Sequence, residues 1–129
     1  MARSRAMPSA KFGRRPVRRS KYGAIRTVYN GVTYASKSEA AYARYLDLQV
    51  AAGAIKKWEG QVRWPLIVDG EKVCTMVPDF KAFFHDGKWA LIEVKGAMSP
   101  VYKLKVKLFR ILHPNIDYRV IPSREALGL

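Results

Sequence analysis

Asp79, Glu93 and Lys95 lie in "VPDFKAFFHDGKWALIEVKG", residues 77–96, and Glu39 lies upstream in "SKSEAAYARYL". The first stretch otherwise reads as two apolar strands, where an uncompensated charge is costly. If His85-Asp86-Gly87 forms a three-residue loop with Gly87 left-handed, Phe84 pairs with Lys88 and Asp79 lies directly opposite Glu93. A two-residue Asp86-Gly87 turn would instead set Asp79 across from Val94, and the two acids could not cooperate. The longer loop segregates the strands better. It gathers Phe80, Ala82, Phe84, Ala90, Ile92 and Val94 on one apolar face and leaves Asp79, Glu93 and Lys95 on the other. At about 100° per residue, Glu39 projects from an apolar helical stripe between Tyr42, Ala43, Leu46 and Val50.

Each acid has a plainer reading. Glu39 could complete a capping box with Ser36, Asp79 could be a turn acid after Pro78, and Glu93 with Lys95 could be an exposed cross-strand pair. Together they demand more. Three carboxylates within about 5 Å at an effective dielectric near 20 repel by roughly 3 kcal/mol per pair, a large cost for a domain of ordinary stability. A hard divalent cation offsets that repulsion, and oxygen donors without His or Cys suit Mg²⁺ or Mn²⁺. On the same face, Lys95 could orient an attacking water or offset charge on a pentacoordinate phosphorus.

The elements that must position these groups are legible from turns and caps. Asn30-Gly31 inside "TVYNGVTYAS" predicts an entry hairpin. Ser36, Glu39 and Gly53 bracket a helix of about four turns. "AIKKWEGQVRWPLIV" turns at Asp69-Gly70 into "EKVCTMVPDFKAFF", which leads into "KWALIEVKG": three strands in meander order. "SPVYKLKVKLFRILHP" fits a helix entered at Ser99-Pro100, stopped at Pro114 and carrying its apolar spacing on Val101, Leu104, Leu108 and Ile111. A last strand, "DYRVI", precedes a short polar-capped tail from Ser123. The expected class is α/β, in the order helix, three strands, helix, strand after the hairpin.

A chain of 129 residues with 49% hydrophobic content predicts one core. Cys74 is the only cysteine, which excludes a disulfide framework and a multi-cysteine zinc site within one chain. No run of about 18 apolar residues is present and the N-terminus lacks the apolar segment of a secretory signal, so a soluble, intracellular, cytoplasmic protein is expected. The 24 Lys and Arg against 10 Asp and Glu give a net charge of +14. Residues 1–26 hold nine of those bases, among them Arg14, Arg15, Arg18 and Arg19, and no acid. They read as a flexible basic arm ahead of a domain at 27–129, with phosphate backbones as the expected partner. An organellar transit peptide and a solubilising tail fit the same composition.

At "PDF" (78–80) and "EVKG" (93–96), preceded by the helix glutamate of "SKSEAAYARYL", the sequence resembles the PD-(D/E)XK nuclease superfamily. It is most similar to small phage-type endonucleases and Holliday-junction-resolvase-like members, over about residues 34–121. The resemblance implies a restriction-endonuclease-like core, a mixed sheet flanked by helices, and Mg²⁺-dependent hydrolysis of DNA phosphodiesters. It implies Asp79 and Glu93 as metal ligands, Lys95 as the catalytic lysine, Glu39 as an additional ligand or water-positioning acid, and the Val94 carbonyl as a further donor. For a phage-encoded member the location would be the host cytoplasm.

Gln61 is a further site candidate, with a structural polar strand position as the competing reading. Lys103, Lys107 and Arg110 share a helical face suited to phosphates. Trp58, Trp64 and Trp89 could stack on bases, against the alternative of core burial. With no base-reading motif, recognition by DNA shape is expected, and paired incision of a four-way junction would call for a homodimer. The competing class is a non-catalytic basic nucleic-acid-binding protein, ribosomal-protein-like or architectural, which gives no reason for three acids to converge.

Overall fold

The structure, a computed structural model, describes residues 25–129. The basic arm, with Arg14, Arg15, Arg18 and Arg19, lies outside the described residues except for Ile25 and Arg26. The described chain is a mixed α/β fold of three helices and several small sheets. No helix among the described residues is long and apolar enough to cross a membrane.

Strands β1 (Thr27–Tyr29) and β2 (Val32–Tyr34) form the entry hairpin, with Asn30 at φ 49° and Gly31 at φ 79° making the tight turn. The left-handed conformation at both positions is why Asn-Gly marks this turn. Helix α1 (Lys37–Ala51) starts where the Ser36 hydroxyl accepts the Glu39 N–H at 3.1 Å. Its Asp47 accepts from the Tyr29 hydroxyl at 2.5 Å and from Trp58 Nε1 at 2.8 Å, fastening the helix to the hairpin and to β3 (Lys57–Gly60).

The three long strands expected after α1 are five. β3 is followed by β4 (Trp64–Val68), β5 (Glu71–Met76), β6 (Phe80–Phe83) and β7 (Trp89–Lys95). β3, β6 and β7 lie in one sheet, whereas β4 and β5 form a sheet of their own. The break has a local cause on each side: Gln61 adopts φ 51°, and Pro78 has no N–H for the ladder. The backbone stays tied across it, since Gln61 N–H donates to Asp79 O at 2.9 Å and Val62 N–H to Pro78 O at 3.3 Å. Gly60 opposite Phe80 and Trp64 opposite Met76 keep the same register, so β3 to β6 is one hairpin bent in the middle.

Helix α2 (Pro100–Leu112) crosses over to β8 (Asp117–Pro122), parallel to β7, and completes the four-stranded order β3-β6-β7-β8. The tail from Ser123 begins with a short helix, α3 (Ser123–Ala126). Both faces of the sheet are covered. Ala43 and Leu46 of α1 pack with Phe80, Ala82, Ile92 and Val94 on one side, and Tyr102 and Phe109 of α2 pack with Leu66, Met76, Leu91 and Tyr118 on the other.

The buried face of α2 is not the expected one. Tyr102 and Phe109 point inward, while Val101 (64% exposed), Leu104 (67%) and Ile111 (65%) face outward. Two apolar rows compete on this helix. The row with the aromatic rings is the one buried, consistent with the larger apolar area rings remove from water.

Candidate active site

The loop after β6 has the expected three-residue form. Phe84 N–H donates to Lys88 O at 2.9 Å, and Gly87, at φ 89°, donates to Phe84 O at 3.2 Å. Phe80 opposes Ile92, and the same register carried one residue past β6 sets Asp79 opposite Glu93. Phe80, Ala82, Ile92 and Val94 face α1, as the segregation argument requires.

Asp79 is only 8% exposed. Its Oδ2 accepts the Val94 N–H at 2.8 Å. Pro78 explains why that N–H is available: Pro78 opposes Val94 where the ladder would exchange hydrogen bonds, but its own carbonyl is turned to Val62. Without an N–H, Pro78 also gives the Val94 carbonyl no ladder donor. The carboxylate of Asp79 thus replaces a strand as the partner of β7.

The electrostatics follow from this placement. Burial is the main cause that raises the Asp79 pKa, followed by the negative charges of Glu93 and of Glu39. The Val94 N–H and Lys95 pull it down, less strongly. Glu93 is also raised, mainly by burial, against the pull of Lys95 and with a push from Glu39. The pair therefore holds protons more tightly than free carboxyls do. Glu39, half-buried in the first turn of α1, reaches both acids through its field. Among the described residues no three Asp, Glu, His or Cys side chains form a metal cage.

Lys95 lies two residues beyond Glu93 with its Nζ 4.4 Å from the centre of the Tyr102 ring. Tyr102 opens α2 under the Ser99 cap, and its hydroxyl meets that of Tyr118 at 2.9 Å. Burial raises both phenols' pKa values, so both remain protonated at neutral pH. Ser38, next to Glu39 in the chain, donates to Ser123 at 3.3 Å, joining the first turn of α1 to the start of α3. A methyl group on Gly96 would meet the same Ser123 hydroxyl at 3.3 Å.

Sequence reasoning missed Tyr102, Ser38 and Ser123 at this site. The first-turn position of Tyr102 after Ser99-Pro100 was a usable signal. Nothing local marked the two serines, which are 85 residues apart.

The other candidates are distributed around the fold. Gln61 sits at the bend, where its backbone serves Asp79. Lys103, Lys107 and Arg110 are exposed together on α2. Trp58, Trp64 and Trp89 are half-buried and packed against the two cores. An open depression of about 710 Å³ lies at the other end of β7, around Lys88, Trp89 and Arg119. It lies toward the opposite end of β7 from Glu93 and Lys95.

No match was found among curated proteins and none among solved structures. A family model described as a protein of unknown function, DUF1064, matches residues 19–125, and the match carries no nuclease description. That span takes in both arms of the bent hairpin, the Asp79 and Glu93 strands, α1, α2 and all but the last residue of α3, and the chain belongs to the DUF1064 family.

Proposed function

We propose that this chain is a divalent-metal-dependent endodeoxyribonuclease of PD-(D/E)XK type, selective for branched DNA such as a Holliday junction. The observation that carries the reading is a buried aspartate facing a half-buried glutamate across two strands, with a lysine two residues further along. The sheet order β3-β6-β7-β8, with α1 and α2 on opposite faces, supports a restriction-endonuclease-like core.

The donor chemistry fits Mg²⁺ or Mn²⁺. The groups here are hard oxygens, and Mg²⁺ commonly takes one or two carboxylates and fills its shell with water and substrate phosphate, so a three-side-chain cage is not required. Asp79, Glu93 and the Val94 carbonyl would hold the cation, with Glu39 contributing from α1 as a water-positioning acid or further ligand. Bound there, the metal supplies Lewis-acid activation of water and of the scissile phosphate. Lys95, steadied over the Tyr102 ring, places positive charge where the phosphorane becomes more negative. Lys103, Lys107 and Arg110 hold the flanking phosphates, and a homodimer would supply paired incisions at a junction.

The test is cleavage of labelled four-way junction, flap, duplex and single-stranded DNA by the purified full chain, with Mg²⁺ or EDTA, beside Asp79→Asn. Metal-dependent cutting lost in the variant supports the nuclease, and symmetric nicks select junction resolution. Tight binding without cutting in Mg²⁺ or Mn²⁺ would favour a non-catalytic nucleic-acid-binding protein, the reading that the net charge of +14 supports.

A further inference from the structure

Helix α2 carries three faces. Tyr102 and Phe109 enter the core, Lys103, Lys107 and Arg110 form the cationic face, and Val101, Leu104, Leu108 and Ile111 form a third row. The spacing of that row, i, i+3, i+7 and i+10, is the seam spacing of paired helices. Val101, Leu104 and Ile111 are each about two-thirds exposed, and Leu108 is half-buried. Lys105 and Lys107 occupy the positions that flank such a seam, and α2 contains no acidic residue.

We propose that this seam docks an amphipathic helix with acidic flanks from a partner protein. Charge complementarity selects that occupant. A second copy of this chain would set Lys105 and Lys107 against the same lysines, and the N-terminal segment outside the described residues is itself basic. DNA matches the charge but not the surface, because four branched aliphatic side chains offer no ring to stack on a base and no group to pair with a base edge. Knobs from a facing helix fill an aliphatic row of this spacing, and Glu or Asp beside them would meet the lysines. The nuclease reading is not required, since the seam lies beside the cationic face and uses different side chains except Lys107.

Two labelled peptides about three heptads long, both with leucine at the seam positions, serve as probes. One carries Glu at the flanking positions and the other Lys. Fluorescence anisotropy with the full chain should show saturable binding of the acidic peptide and binding at least about tenfold weaker for the basic one. Leu104→Glu, or separately Ile111→Glu, should weaken the acidic peptide about tenfold or more with an unchanged melting curve. Lys105→Glu with Lys107→Glu should reverse the preference between peptides.

Absence of binding, equal binding of the two peptides, or indifference to both seam variants would overturn the proposal. So would a dimer in sedimentation that Leu104→Glu dissociates, which would assign the seam to a second copy. Loss of DNA affinity in Leu104→Glu, with DNA displacing the peptide, would assign it to nucleic acid.

Discussion

Asp79 and Glu93 favour the protonated state in the fold because burial and neighbouring negative charge disfavour ionisation. A carboxyl raised on folding favours the native state at low pH and opposes it progressively as pH rises through its folded value. With Asp79 pushed up to about 9 and Glu93 to about 7, the contribution from this pair to metal-free stability should therefore grow as pH falls from about 9 to about 4. Asp79→Asn keeps an acceptor for Val94 N–H and removes one charge, so it should stabilise the metal-free protein by about 1–3 kcal/mol at alkaline pH. Thermal melts of wild type and variant across pH measure the difference, which should shrink on acidification. Mg²⁺ should raise the wild-type Tm at alkaline pH more than that of the variant, because a ligand that binds only the native state stabilises it. At Tyr102, Phe should preserve cleavage because it keeps a ring beneath Lys95, whereas Leu should slow turnover about tenfold or more. A kcat/KM comparison of the two variants checks this. The facing of Asp79 and Glu93 was readable because one glycine-containing loop sets the register. The Tyr102 platform and the Ser38–Ser123 link were not, because they are made by tertiary contact between segments with no shared local pattern.

Turns and caps were the legible elements, since Asn30-Gly31, Asp69-Gly70 and the Ser36 and Ser99 caps each satisfy backbone demands within a few residues. The bend was not legible from β-strand periodicity. Glutamine is no signal for a positive φ, and Pro78 alone could equally have ended an edge strand. Gln61→Gly should relieve the left-handed conformation and stabilise the protein by roughly 0.5–1 kcal/mol, as urea unfolding would show. If the Gln61 side chain also serves the reaction, cleavage will fall even though stability rises. Asp47 offers the opposite case: Asp47→Ala removes the acceptor for Tyr29 and Trp58 and should lower the melting temperature in a thermal melt. For α2, both apolar rows had helical spacing, so periodicity alone could not choose between them. The outcome turns on which row carries Tyr102 and Phe109.

Across the whole molecule, a net charge of +14 predicts DNA affinity that declines steeply with salt. Replacing Lys103, Lys107 and Arg110 together by Gln should flatten the plot of log affinity against log salt by about two to three units of slope, measured by anisotropy on one duplex. The bent hairpin has another consequence, for the chain lengths that this fold can accept. Val73 is the extra residue at the β4–β5 bulge, exposed and without a partner in the ladder between Leu66 opposite Cys74 and Ile67 opposite Lys72. Length changes from there to the Asp69-Gly70 tip can be absorbed without moving the register below. Between Cys74 and Asp79 there is no such slack: with Asp79 held opposite Glu93 by the β6–β7 loop, loss of one residue would reverse the facing of the β5 side chains and turn Met76 out of the core. Natural insertions and deletions in this hairpin should therefore collect at its tip, and those nearer the acids should survive selection only as compensated pairs.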